Sequence, residues 1–413
     1  MTTYRLPSSL RAVPPETTLA HAREAAVRLG ISRVTDITRL DSVGIPVFAG
    51  VRPGAVEGSL CVNAGKGVRA IDARVGAYME AIEFALAEPG ASDAEVVMAT
   101  PRDVLDGHRR SDAVLDFCPI ANRGFDLSAP LACTLARELV GGGTTLVPAE
   151  LVFLPYVHRP GTGNFGSHSN GLASGNTEAE ALLHGLLEVV ERDVRSFAAL
   201  GGGSMIIPDD TLPDLAREQL EKVRAAGLGI SVRVLPNEFG VPCFEAVTWD
   251  PYARTPLYLN GGYGCHLHRE IALLRAVTEA VQSRLSWIHG GRDDLLAPSL
   301  QVAEQRTALA RQASEQFRAH QSQGERMDYD AVPELAGDAS SVDEALAAAM
   351  ERLLERGVRH VCLVNLSRPG EPLQVVRVIV PRLEYLDRES HRVGPRLQAF
   401  IRQRRTAAAT PPA

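Results

Sequence analysis

Residues 169–193 read SNGLASGNTEAEALLHGLLEVVERD. The stretch opens in Gly, Ser and Asn and changes character at Thr177, a residue type that caps helix N-termini. From there Ala, Leu and Val recur at helical spacing, which predicts a helix over about 177–200. Its polar positions are selective. Glu180, Glu188 and Glu191 fall within roughly 80° of one another at about 100° per residue, and His184 lies on the same stripe. Clustered carboxylates repel and are costly to desolvate unless a cation neutralises them.

Two more helices repeat the theme. RAIDARVGAYMEAIEFALAE predicts a helix over about 68–88, with Glu80 and Glu83 on one face. REIALLRAVTEAVQSRLSW predicts another over 269–287, with Glu279 and Gln282 on one face and Arg284 following. An isolated E-x-x-E is usually a solvated helix face. Here two of the three helices follow glycine-rich polar segments, NAGKG (63–67) and SNGLASGN (169–176), read as turns whose backbone N–H groups could receive an anion. Magnesium is the natural cation for oxygen-only ligands, and it normally also contacts phosphates. Neither a P-loop nor a dinucleotide-binding glycine fingerprint is present.

Further strands are predicted at 44–53, 95–100, three times within 229–264, and at 360–366 and 373–381. A helix is predicted over 16–29, mainly helical structure over 297–355, and a disordered tail from 403. No internal repeat stands out. The fold class is α/β, with long acidic helices backed by strands.

The totals exclude some functions. The 413 residues carry 43 basic and 50 acidic side chains, a net charge of −7, which argues against nucleic-acid binding. No apolar run suits a membrane span and the N-terminus lacks a signal-peptide core, so a cytoplasmic protein is expected. Six scattered cysteines without a C-x-x-C pair read as reduced thiols. Only two of the basic residues are lysine, Lys66 and Lys222. Cys265, His266 and His268 fit no standard zinc spacing. Ser167, His168 and Ser169 lack a hydrolase elbow.

The segment 169–193 resembles the central motif of the YcaO family. GKG followed by the helix containing MEAIE resembles the family's first motif, and ALLRAVTEAVQSRL its third. VVRVIVPRLEY (375–385) with RVGPR (392–396) resembles the C-terminal end of standalone and TfuA-associated members. The resemblance spans about 30–398. It implies a YcaO-type fold, with the acidic helices packed on mixed, mainly antiparallel sheets. Residues 1–60 would belong to the same unit as a catalytic domain over 61–402, ahead of a tail over 403–413.

The resemblance also implies an enzyme that uses ATP and Mg2+ to activate a peptide backbone amide. Metal ligation would fall to Glu80, Glu83, Glu180, Glu188 and Glu191. Nucleotide contact would fall to Lys66, Asn176, Glu180, Arg192, Glu279, Gln282 and Arg284, and catalytic roles to Glu191, Arg192 and His184. Two positions depart from the first motif: Gly76 replaces its usual serine, and Phe84 its usual arginine. The expected partner is a precursor peptide or protein, with a TfuA-like or leader-binding protein and a homodimer as further possibilities. The chain lacks the proline-rich tail common in azoline-forming members. Because its C-terminal end resembles that of members working with a TfuA-type partner, thioamide formation ranks first, ahead of an azoline- or amidine-forming cyclodehydratase and of a non-catalytic, peptide-binding accessory protein.

Overall fold

The computed structural model describes residues 3–105, 108–110, 112–121, 124–252, 259–292, 294–295, 307–337, 341–386 and 391–409. Its helices are α1 (Pro15–Arg28), α2 (Ala70–Ala87), α3 (Glu178–Ala198), α4 (Asp214–Ala225), α5 (Arg269–His289), α6 (Thr307–Ser322), α7 (Val342–Glu355) and α8 (Pro395–Ala409). The three acidic helices predicted from sequence are α2, α3 and α5. Part of the predicted 297–355 helical stretch lies outside the described residues. Among those described, no helix is long and apolar enough to cross a membrane.

Packing divides the chain into two units. The first comprises 1–55, 60–82 and 203–348, and the second 56–59, 83–202 and 349–413.

In the first unit, strands Arg33–Asp36, Val47–Val51 and Val62–Lys66 form an antiparallel sheet. Met205–Ile206, Gly229–Val234, Cys243–Trp249 and Leu259–Cys265 form a second. The core includes Phe244, Leu274, Val277 and Val281, all fully buried. NAGKG is thus mostly strand rather than a polar turn. Gly65 explains the difference. A Cβ there would lie 2.1 Å from both the Ala73 carbonyl oxygen and the Ala77 nitrogen, so glycine lets α2 rest directly on the strand. Gly264 does the same under α5, where a Cβ would lie 2.0 Å from the Ala272 carbonyl oxygen and 2.8 Å from the Ala276 nitrogen.

In the second unit, a six-stranded antiparallel sheet runs in the order Val97–Ala99, Leu131–Glu138, Cys362–Asn365, Gln374–Ile379, Leu172–Gly175, with Thr144–Pro148 paired to Leu131–Glu138. Helix α3 packs on Leu172–Gly175 and Gln374–Ile379. SNGLASGN therefore also contributes a strand, Leu172–Gly175, which pairs antiparallel with Gln374–Arg377 at the edge of the sheet. Thr177 caps α3 as predicted, its side chain accepting from the Glu180 N–H at 3.1 Å.

The predicted disordered tail instead continues α8 to Ala409, leaving only 410–413 outside the described residues. Arg404 ties this helix to the end of α3 by donating to the carbonyls of Leu200 (3.1 Å) and Gly201.

Candidate active site

The first unit gathers Lys66, Glu80, Glu279, Gln282 and Arg284. Ala64 N–H donates to Glu80 Oε2 at 2.8 Å, and Tyr263 N–H donates to Glu279 Oε1 at 3.3 Å. In both cases the glutamate lies sixteen residues beyond its donor. The helix contacts of Gly65 and Gly264 follow the same register, Ala73 and Ala77 matching Ala272 and Ala276. Two β–α units therefore repeat one geometry, which the sequence reading did not find because few of the matched side chains are identical. The Gln282 amide donates to the Ala64 carbonyl at 2.6 Å, and Lys66 Nζ pairs with Glu279. Arg284 is held by Asp41, with Nε–Oδ2 at 2.7 Å and Nη2–Oδ1 at 3.3 Å. Burial pushes the Glu80 carboxyl above its ordinary range, against the opposing pull of Arg292, the Ala64 N–H and Lys66.

The second unit gathers the others. Glu180 and Glu191 on α3 are buried, while His184 and Glu188 are half-buried. Asn176 Nδ2 donates to both oxygens of Glu180, each at 3.1 Å. Arg192 Nη2 lies 3.5 Å from Glu188 Oε1, one helical turn earlier. Ser174 Oγ donates to Glu83 Oε1 at 2.5 Å. Glu188 and Glu83 both act electrostatically on Arg377, which is fully buried and whose pKa burial pushes down to about 10.

The carboxylate sets suit magnesium by donor chemistry, since all their ligand atoms are oxygens. Among the described residues, no three His, Cys, Asp or Glu side chains converge closely enough to hold a metal by themselves. Phosphate and water oxygens would complete such a coordination shell. Glu80 supplies the fit: a part-buried carboxylate whose charged form burial disfavours is one that an adjacent cation stabilises.

The departures at 76 and 84 have packing reasons. A Cβ on Gly76 would lie 3.3 Å from Gly65 Cα, where α2 crosses its strand, and Phe84 is a buried core residue. His266 and His268 form no metal group. His266 Nδ1 accepts from the His268 N–H at 3.0 Å, and His268 Nδ1 meets Glu334 Oε1 at 3.0 Å. Sequence reasoning missed Ser174, Arg292 and Arg377. For Arg377 a signal existed: a lone cation in the apolar strand QVVRVI.

A family model described as YcaO cyclodehydratase, ATP- and Mg2+-binding, matches residues 64–384. The chain belongs to the YcaO family. A protein of Methanothermobacter thermautotrophicus is 36% identical over 395 residues, covering 95% of this chain and 99% of its own. A protein encoded in the tfuA 3′ region of Rhizobium leguminosarum bv. trifolii is 32% identical over 392 residues, covering 91% of this chain and 88% of its own. In structure, the chain is similar to YcaO from Methanopyrus kandleri bound with AMPPCP and Mg2+, with a TM-score of 0.76 at 24% identity over 96% of this chain and 98% of that one. YcaO membership makes this an ATP- and Mg2+-dependent, peptide-modifying enzyme.

The two lysines of this YcaO protein should respond differently to replacement. Lys66 pairs with Glu279, whereas Lys222 sits at the surface 2.9 Å from Glu218. Lys66→Arg is expected to lower ATP turnover about tenfold, because a planar guanidinium cannot substitute for a compact ammonium beside two glycines. Lys222→Arg should change turnover less than about twofold. Equal effects would reduce Lys66 to a compositional accident.

Proposed function

We propose that this enzyme forms thioamides in a peptide or protein backbone with a TfuA-type partner. The observation that carries the reading is the relative encoded in a tfuA 3′ region, which aligns with 91% of this chain. ATP would supply the phosphoryl group that makes the amide oxygen a leaving group. Hydrosulfide would then form the C–S bond at the amide carbon, the C–O bond would break, and the oxygen would depart with phosphate.

In this reading Glu80, Glu83, Glu180, Glu188 and Glu191 hold magnesium. Such chemistry works mainly by positioning and charge neutralisation. Lys66, Asn176, Glu180, Arg192 and Glu279 orient the nucleotide. Gln282 and Arg284 act by holding the Ala64 carbonyl and Asp41 in place. Glu191, Arg192 and His184 face the reacting groups, His184 as the side chain best suited to carry a proton near neutral pH. The family description favours a second outcome, cyclodehydration to an azoline.

Mass spectrometry separates the two. A candidate precursor is incubated with the enzyme, ATP, Mg2+ and sulfide, with and without the TfuA-type protein. Sulfur for oxygen adds about 16 Da and cyclodehydration removes about 18 Da, the balance following from the nucleophile that attacks. A loss of that size sinks the thioamide reading. ATP-independent binding of the precursor without any mass change would point to an accessory role.

A further inference from the structure

The C-terminal motif, VVRVIVPRLEY with RVGPR, supplies none of the groups assigned to the site, yet two of its charged side chains turn inward. Glu384 is fully buried. Its Oε2 accepts from the Gly394 N–H at 2.6 Å and its Oε1 from the Leu397 N–H at 2.9 Å. The carboxylate thus closes the start of α8, where Pro395 takes the first helical position. A Cβ on Gly394 would lie 2.7 and 2.8 Å from the same two oxygens, so glycine lets the chain pass this close.

The segment closed in this way holds the last turns of α3. Asp193 is buried and directly follows Glu191 and Arg192. Its Oδ1 accepts from the Glu384 N–H at 2.6 Å and from Arg396 Nη1 at 2.6 Å, and its Oδ2 from Arg396 Nη2 at 3.2 Å. Arg396 Nη1 also donates to the Arg382 carbonyl at 3.0 Å, and the guanidinium lies over the Phe197 ring, 5.0 Å from its centroid. Three residues beyond Asp193, Ser196 makes a second tie. Its Oγ accepts from the Leu386 N–H at 2.8 Å and donates to the Arg192 carbonyl at 2.7 Å. One hydroxyl therefore links the backbone of Arg192 to the C-terminal segment.

Adhesion alone does not call for this arrangement. Apolar side chains of equal size hold a helix in place at least as well as a buried ion pair, whose desolvation offsets much of its attraction. A two-pronged pair adds geometry, because both prongs align at one rotation and one axial position of the helix. A slip of one residue would move Asp193 about 1.5 Å along the axis and turn it by about 100°. A metal site tolerates a displacement of only roughly 0.5 Å. We propose that Asp193 and Arg396 are positioning residues that set the place of Glu191 and Arg192 on α3, which rests on the reading of those two as metal and nucleotide groups.

Calorimetry of the full-length enzyme with the non-hydrolysable nucleotide AMPPCP, with and without Mg2+, tests this role. Stoichiometry reports how much of the enzyme is folded, and the dissociation constant how well the site is set. A purely structural role lowers the first and leaves the second alone. Arg396→Met keeps an aliphatic stem without the guanidinium. It is expected to weaken the Mg2+-dependent binding about tenfold at unchanged stoichiometry. Asp193→Asn covers the case in which Arg396→Met does not fold. It keeps an oxygen for the Glu384 N–H while removing the ion pair, and a loss of about tenfold is expected again. Wild-type affinity in both variants, or a lowered stoichiometry alone, overturns the proposal. Glu191→Gln, measured in parallel, separates the two levels of the reading. If it leaves the Mg2+ dependence at the wild-type level, Glu191 is not a ligand and both readings fall together. If it abolishes that dependence while the Arg396 and Asp193 variants bind normally, only the positioning role falls.

Discussion

Glu80→Gln is expected to lower ATP turnover by about 100-fold or more while leaving the fold intact. Glutamine keeps the shape of the side chain and an oxygen that can accept from the Ala64 N–H, now 2.8 Å from Glu80 Oε2. What it removes is the charge. The protein holds that charge under strain, since burial raises the carboxyl's pKa even with Arg292 and Lys66 nearby. A residue kept only to brace its strand gains nothing from this arrangement and would be better served by an amide. A magnesium ligand needs it. Calorimetry of ATP binding with and without Mg2+ makes the test specific: the variant should lose the magnesium-dependent part of the affinity. Turnover within twofold of wild type would confine Glu80 to bracing the strand Val62–Lys66. Glu279→Gln makes an internal comparison, because Glu279 occupies the same place in the second β–α unit but already has Lys66 as its partner.

The second large effect concerns the fold. Gly264→Val should cost more than about 4 kcal/mol, enough to leave little soluble protein, because the side chain would have to enter the backbone of α5. The nearest obstacles to a Cβ are main-chain atoms of Ala272 and Ala276 at 2.0 and 2.8 Å, which cannot rotate away. Gly65→Val meets the same obstacle in α2. Gly54→Ala is the control: nothing lies within 4 Å of a Cβ there, and stability should stay within about 0.5 kcal/mol. Urea unfolding of the three variants measures the contrast. A stable Gly264→Val protein would mean that α5 can lift from its sheet.

The extent to which the sequence revealed the site differs between its parts. Thr177, the apolar period and the stripe of Glu180, Glu188 and Glu191 are local properties of one helix, so residues 169–193 alone disclosed them. The α2 and α5 carboxylates were legible for the same reason. The glycine-rich segments were misread as turns because glycine has two uses, turning a chain and admitting a neighbour. Only the packing of α2 on Gly65 distinguishes them. The tail was misread because a polar, alanine-rich helix carries a weak apolar signal, and its anchor is the long-range contact of Arg404 with Leu200 and Gly201.

By itself, then, the sequence determined the helices, the acidic stripes and the family, since these depend on residue order over short spans. The tertiary structure decided which of those residues act on one another. Arg284 reaches Asp41 and Lys66 reaches Glu279 across more than two hundred positions of chain. Two β–α units share a register that their side chains conceal, and Arg377 reaches the carbonyls of His168 and Asn170 across more than two hundred positions as well. The reason is physical: hydrogen bonds and charges act over a few ångströms in space, and only the folded chain sets which residues lie within that distance.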